Sequence, residues 1–324
     1  MGYFIIRRTF WAVFLFLVAT IITYLIFFVI PSDPATIACG THCTPGQIIH
    51  IRHALHLDLP IYQQYWLFLW NLVRHQSLGF SFVNGQPVRY IIGQTAPVTA
   101  SLVFGGAFFW LLLSIPVGII SALKPRSILD RLGMVFVLIG ISAPVVWIGL
   151  ILAFVFGYLL RVTPIADYCN FIPSHQIGVC SGPIHWAYHL ILPWATFMLL
   201  FAALYVRLIR ASVMETMSED YVRTARAKGA SFSRVLFQHV LRNSMLPVVT
   251  ILGMDIGLAL GGAVFTETVF NLNGLGQTLI RAASLDNLPV VVGVVMFATL
   301  AVIIFNFLVD IAYAWLDPRI RLTT

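Results

Sequence analysis

Six apolar runs dominate this chain, at 10–30, 97–121, 132–160, 187–209, 247–266 and 289–314. A bilayer's hydrocarbon core, about 30 Å thick, is crossed by about 20 apolar residues wound as a helix. Inside it a backbone must satisfy its own polar groups, which a lone apolar run does only as a helix. With 60% hydrophobic and only 10% charged residues, and a mean hydropathy of +0.92, the chain lacks the polar surface of a water-soluble globule. The pattern predicts an all-α membrane protein with six transmembrane helices in one integral membrane domain over 1–324. Its transmembrane core would occupy 97–314, with an extracytoplasmic loop or cap at 31–96 and a cytoplasmic loop at 211–246.

Charge sets the expected orientation. With both termini cytoplasmic, the inside segments hold Arg7, Arg8, Lys124, Arg126, Arg131, Arg207, Arg210, Arg223, Arg226, Lys228, Arg234, Arg242, Arg319 and Arg321, against Arg52, Arg74, Arg89, Arg161 and Arg281 outside. That asymmetry fits the positive-inside rule. The net charge of +7 therefore reads as topology: the basic residues are dispersed among membrane-flanking loops, and no nucleic-acid partner is expected. The first run is too long for a secretory h-region and lacks a small-residue cleavage site, so it is expected to remain in the mature protein.

Within the cap, 47–57 and 61–73 read as helices separated by Asp58-Leu59-Pro60. The second carries Tyr62, Tyr65, Trp66, Phe68 and Trp70, suited either to the headgroup level or to packing against protein. All four cysteines, Cys39, Cys43, Cys169 and Cys180, fall outside on this topology and read as disulfide candidates, with the local pairs Cys39–Cys43 and Cys169–Cys180 preferred among three pairings. His42, His50, His53 and His56 crowd Cys39 and Cys43. Histidines at i, i+3 and i+6 drift by about 60° per step around a helix and converge poorly on one ion, so no metal site is expected.

The 211–246 segment is the most informative. Ser218 is placed to cap a helix with Glu219 and Asp220 in its first turn, Arg223, Arg226 and Lys228 toward its end, and Gly229 as its stop. Ala225 and Ala227 keep its surface slim, as a helix seated in another subunit's groove requires. Ser231 then starts a second segment that runs to Pro247.

The stretch Glu219-Asp220-Tyr221-Val222-Arg223-Thr224-Ala225-Arg226-Ala227-Lys228-Gly229, followed by Leu241-Arg242-Asn243 and Leu246-Pro247-Val248-Val249, resembles the cytoplasmic motif of a known family. That family is the inner-membrane permeases of binding-protein-dependent ATP-binding-cassette importers, in their dipeptide, oligopeptide and nickel branch. The superfamily's general Glu-Ala-Ala motif is replaced by Arg223-Thr224-Ala225, which narrows the branch. Pro31-Ser32-Asp33-Pro34, Leu57-Asp58-Leu59-Pro60, Thr266-Glu267-Thr268-Val269-Phe270, Gly274-Leu275-Gly276 and Asp317-Pro318-Arg319 are similar to the family as well, while Asn273 stands where members usually carry proline. The resemblance implies a type I importer permease fold in a bacterial cytoplasmic membrane, forming half of a pathway for di- or oligopeptides. Nickel chelates, glutathione and oligosaccharides are alternative cargoes. It also implies a second homologous permease, two ATPase subunits that hold ATP and Mg, and an external solute-binding protein. Ser218 to Gly229 would be the ATPase-coupling element, with Tyr221 and Thr224 among its residues.

Read from the residues alone, nucleotide chemistry is absent from the chain. A phosphate-cradling loop needs Gly-x-x-x-x-Gly-Lys-Ser/Thr, and the two lysines, Lys124 and Lys228, precede Pro125 and Gly229. No cofactor and no catalytic residue is expected. In the fifth run, Gly253, Gly257 and Gly261 form a small face. Asp255, Ala259, Gly262 and Thr266 fall on another side of the same expected helix, giving a narrow polar stripe suited to lining a cavity. The alternative for Asp255 is a structural hydrogen bond to a neighbouring helix. A secondary transporter or channel would need broken helices in matching halves and several intramembrane charges, which are not evident.

Overall fold

The computed structural model describes residues 2–26, 34–39, 44–54, 57–75, 77–173 and 180–316, and among them it contains helices and no strand, only two isolated bridges. In chain order the helices are α1 (Gly2–Tyr24), α2 (Pro34–Cys39), α3 (Pro45–Ala54), α4 (Ile61–His75), α5 (Val88–Leu123), α6 (Ile128–Ser142) and α7 (Val145–Leu152). Then come α8 (Pro183–Ser218), α9 (Asp220–Ala227), α10 (Phe232–Arg234), α11 (Arg242–Ser244), α12 (Leu246–Leu260), α13 (Val264–Val269), α14 (Leu275–Ser284) and α15 (Leu288–Leu316). A π-wound segment, Ala153–Leu159, prolongs α7, and another, Val235–Leu241, joins α10 to α11.

Among the described residues, Ile6–Tyr24, Val88–Leu123, Pro183–Ser218 and Leu288–Ile311 are each long and apolar enough to cross a membrane. Two bent pairs, Asp130–Gly140 with Val145–Leu159 and Phe232–Ser244 with Leu246–Leu260, raise the number to six when each counts as one span. The third expected run, 132–160, is thus not one straight helix. It turns by 104° at Ala143–Pro144, because proline cannot donate to the preceding turn and instead opens α7. The second and fourth spans begin earlier or end later than their hydropathy suggests: α5 starts at Val88, inside the expected cap, and α8 continues to Ser218, inside the expected cytoplasmic loop.

The chain divides into two compact units: 1–99 with 258–264 and 273–304, and 100–257 with 265–272 and 305–324. In the first, Val88 and Ile92 pack with Leu275, Ala282, Val290, Val291 and Val294. Gly293 lets the backbone approach Val88 so closely that a Cβ there would overlap it. The Thr99 hydroxyl accepts from the Leu275 N–H at 2.8 Å and so satisfies a donor at the start of α14. Buried Asn287 fixes the loop before α5, donating to Ser81 Oγ at 2.7 Å and accepting from the Phe82 N–H at 3.0 Å.

The same unit settles how α4 uses its aromatics. Tyr65 and Phe68 ring-pack on Tyr24 of α1, the Tyr24 hydroxyl donates to Gln64 Oε1 at 3.0 Å, and Thr20 shares a 2.8 Å bond with Tyr65. Tyr62, Trp66 and Trp70 occupy the opposite, exposed face, with Arg74 over the Trp70 ring. One face of α4 therefore packs on α1, and the other presents exposed aromatic rings.

In the second unit α8 is the central element. Trp194, Phe197 and Ile209 of α8 lie against Gly105, Gly106 and Gly118 of α5, while Ala203 lies against Gly140 of α6. Trp110 of α5 stacks on Phe197 and Phe201 at ring separations of 6.3 and 4.6 Å. Gly253 of α12 admits Val309 of α15 in the same manner, as its place in the small-residue face suggested.

Candidate coupling and pathway residues

The short helix α9 runs from Asp220 to Ala227, and its cap is not Ser218. Ser218 is the last residue of α8, and its hydroxyl donates back to the Glu215 carbonyl at 2.7 Å. Glu219 takes the cap position in extended backbone, without a side-chain capping bond. A serine hydroxyl can bond the carbonyl behind it as readily as the N–H ahead, and here the longer α8 claimed it. The other end matches its sequence. Gly229 adopts φ 79°, the Gly229 N–H bonds the Arg226 carbonyl and the Ala230 N–H bonds the Ala225 carbonyl, which together close the helix in a Schellman motif.

α9 is anchored on one side only. Val222 is completely buried and Ala225 half-buried, whereas Asp220, Arg223, Thr224, Arg226, Ala227 and Lys228 are exposed. Asp220 and Arg223 lie 3.6 Å apart in open solvent, a pair of little energetic consequence. Tyr221 fixes the helix against the next one: its hydroxyl accepts from Asn243 Nδ2 at 2.7 Å and lies 3.4 Å from the His239 carbonyl. A second tie, Ser212 Oγ to the Ser244 carbonyl at 2.8 Å, binds α8 to α11. The result is a small, fixed projection with a basic, narrow outer surface.

The one continuous helix expected to carry the polar stripe is interrupted. α12 ends at Leu260, and Gly262, at φ 138°, has its backbone against Gly276, so the helical face carrying Asp255 and Ala259 is not continued to Gly262 and Thr266. Thr266 is buried on the separate helix α13. Glycine at 262 permits the break, because that backbone angle is closed to residues with a Cβ. Asp255 itself accepts a 2.8 Å hydrogen bond from the Tyr205 hydroxyl of α8. This is the helix-to-helix bond that stood as the alternative to a cavity-lining role.

Cys169 and Cys180 are joined in a disulfide, and Cys39 is disulfide-bonded; Cys43 lies outside the described residues, as do His42 and His56. His189 lies 3.9 Å from the Cys180 sulfur and 3.1 Å from the Asp167 carbonyl. With both sulfurs oxidised the group offers no thiolate, so it does not suit a metal ion. In the cap, exposed His53 pairs with Asp58 at 2.5 Å. Three residues that the sequence reading left without a site role, Asp130, Arg210 and Tyr205, carry the most specific buried polar geometry. Ser127-x-x-Asp130 at a helix start was the one visible signal for the first of them.

Two protein-family models cover nearly all of the chain. Residues 114–322 match the binding-protein-dependent transport system inner membrane component, and residues 1–103 match the N-terminal part of such membrane components. The chain belongs to that family. The dipeptide transport system permease protein DppB of Escherichia coli K12 is 35% identical over 98% of both chains. A Brucella abortus protein, named provisionally as a peptide transport system permease, is 36% identical over 98% of both. A chain of the MetNI methionine ABC transporter, solved in inward-facing conformations, shares the fold at a TM-score of 0.52 with 14% identity, covering 70% of this chain and 97% of that one. Permeases of this family are membrane subunits and are not themselves catalytic.

Proposed function

We propose that this permease forms half of the translocation pathway of an ATP-driven importer for di- or oligopeptides, with α9 as the element that docks in an ATPase subunit. The observation that carries the docking reading is the one-sided anchoring of α9, which leaves a basic, slim face free while Val222 and Tyr221 hold the other side. A helix fixed in this way can pass a displacement to α8 without unfolding. The peptide reading is supported by the full-length likeness to permeases named for peptide and dipeptide transport.

The working complex contains this chain, a homologous second permease, two ATPase subunits that bind ATP and Mg, and an external solute-binding protein. Both termini face the cytoplasm, as the distribution of Lys and Arg supports. Cargo moves between the two permeases by alternating access, and α9 follows the approach and separation of the ATPases. The test is uptake of radiolabelled glycyl-leucine by proteoliposomes that hold the complete complex. ATP-dependent accumulation that unlabelled dipeptides suppress is expected. Uptake of glutathione or a nickel chelate instead, or uptake without the ATPases, would contradict the reading.

A further inference from the structure

Four donors converge on one carboxylate at the start of α6. Asp130, only 5% exposed, accepts from Arg210 Nε at 2.7 Å, from Arg210 Nη2 at 3.1 Å, from the Arg126 N–H at 2.8 Å and from the Ser121 hydroxyl. Its own backbone N–H is taken by Ser127 Oγ at 3.2 Å. These groups come from the last turn of α5, the connecting turn, the first turn of α6 and the last third of α8, all within the second unit. Arg126 holds φ 65°, a left-handed backbone that is uncommon outside glycine, so the turn takes a shape that the carboxylate rather than its own preference favours. One side chain thereby ties three helices together.

The position of the knot gives it a use. Arg210 and Ser218 belong to one unbroken helix, and Arg210 lies about 13 Å along it from the turn into α9. Beside it, Ile209 is pressed on Gly118 and Ala203 on Gly140, so α8 has no room to slide past α5 or α6. A buried ion pair seldom adds net stability over apolar groups of the same shape, whereas a bidentate fork fixes one angle and one register. The contribution of such a pair is therefore geometric.

We infer that Asp130 and Arg210 are a positioning pair: the rigid joint through which a displacement of α9, carried along α8, moves α5 and α6 as a block. This inference rests on the reading of α9 as the ATPase-docking helix, and it deepens that reading by naming the residues beyond α9. Without the joint, α8 would rotate or tilt against α6, and nucleotide-driven motion would be spent locally instead of opening the pathway.

The test uses the complete complex in liposomes, with ATPase subunits retained, ATP hydrolysed and glycyl-leucine imported all measured on the same preparation. Arg210→Lys keeps the charge but loses the fork, and Asp130→Asn keeps the shape but loses the charge. Both are expected to retain the ATPases while the peptide imported per ATP hydrolysed falls at least fivefold. A purely structural pair would lower the amount of assembled complex and leave that ratio unchanged. The inference is overturned by an unchanged ratio in Arg210→Lys, or by failure of both variants to assemble, since docking needs α9 and not the joint. Failure of the docking reading looks different: substitutions on the free face of α9 would then leave the ATPases bound.

Discussion

Tyr205 of α8 donates its hydroxyl to Asp255 of α12 across 2.8 Å, and this bond links the two helices through a carboxyl inside an apolar run. An unpaired carboxyl within a span is costly, so the phenol is the group that makes Asp255 tolerable there. Removing the hydroxyl with Tyr205→Phe keeps the ring, which lies 5.9 Å from Trp110, and leaves the carboxyl without this donor. A loss of about 0.5–1.5 kcal/mol is expected, the net contribution of one hydrogen bond to a half-buried group. Thermal unfolding of the detergent-solubilised permease should show a lower midpoint for Tyr205→Phe, and the double variant Tyr205→Phe with Asp255→Leu should recover much of it. Equal midpoints for wild type and Tyr205→Phe would mean that Asp255 is satisfied by water in a cavity.

Asn273 stands in a turn whose backbone a proline could not adopt. Its φ of 51° lies far from the φ near −65° that a proline ring imposes. Its N–H also donates to Gln277 Oε1 at 2.8 Å, and its side-chain oxygen accepts from Arg281 at 2.9 Å. Asn273→Pro should therefore destabilise the permease by several kcal/mol, about 3 from the lost donor and the misplaced backbone together. Asn273→Gly should cost far less, since glycine reaches the same backbone freely. Yields of folded monomer by fluorescence-detected gel filtration separate the two, and equal yields would refute this account of the turn.

Much of this architecture was legible because membrane spans write their length into the sequence. The helical class, the apolar runs, the left-handed stop at Gly229 and the small-residue approach at Gly253 follow from hydropathy, chirality and side-chain size. What escaped was decided by competition between neighbours. Ser218 could serve either of two helices, and no local rule says that α8 would take it. The stripe from Asp255 to Thr266 assumed a helix that Gly262 breaks, and glycine inside an apolar run reads equally as a packing face or as a break. Asp130 and Arg210 are separated by too much chain for spacing to pair them. Their basic neighbours were informative about membrane sidedness, which concealed the more specific role of one of them.

The exposed side of α9 is the part of the account on which the proposed mechanism depends. Ala227 is exposed at the end of this helix, away from buried Val222, so Ala227→Glu should leave the spans and the Tyr221–Asn243 tie intact while placing a bulky charge on the free face. Ala225 is half-buried and its substitution would also disturb the permease itself, which makes Ala227 the cleaner position. The measurement is co-purification of the ATPase subunits with Ala227→Glu, beside Arg7→Glu on α1 as a matched charge change. Normal membrane insertion with at least a tenfold loss of bound ATPase for Ala227→Glu, and no loss for Arg7→Glu, is expected; full retention of the ATPases together with unimpaired glycyl-leucine import would contradict the assignment of α9 as the coupling element.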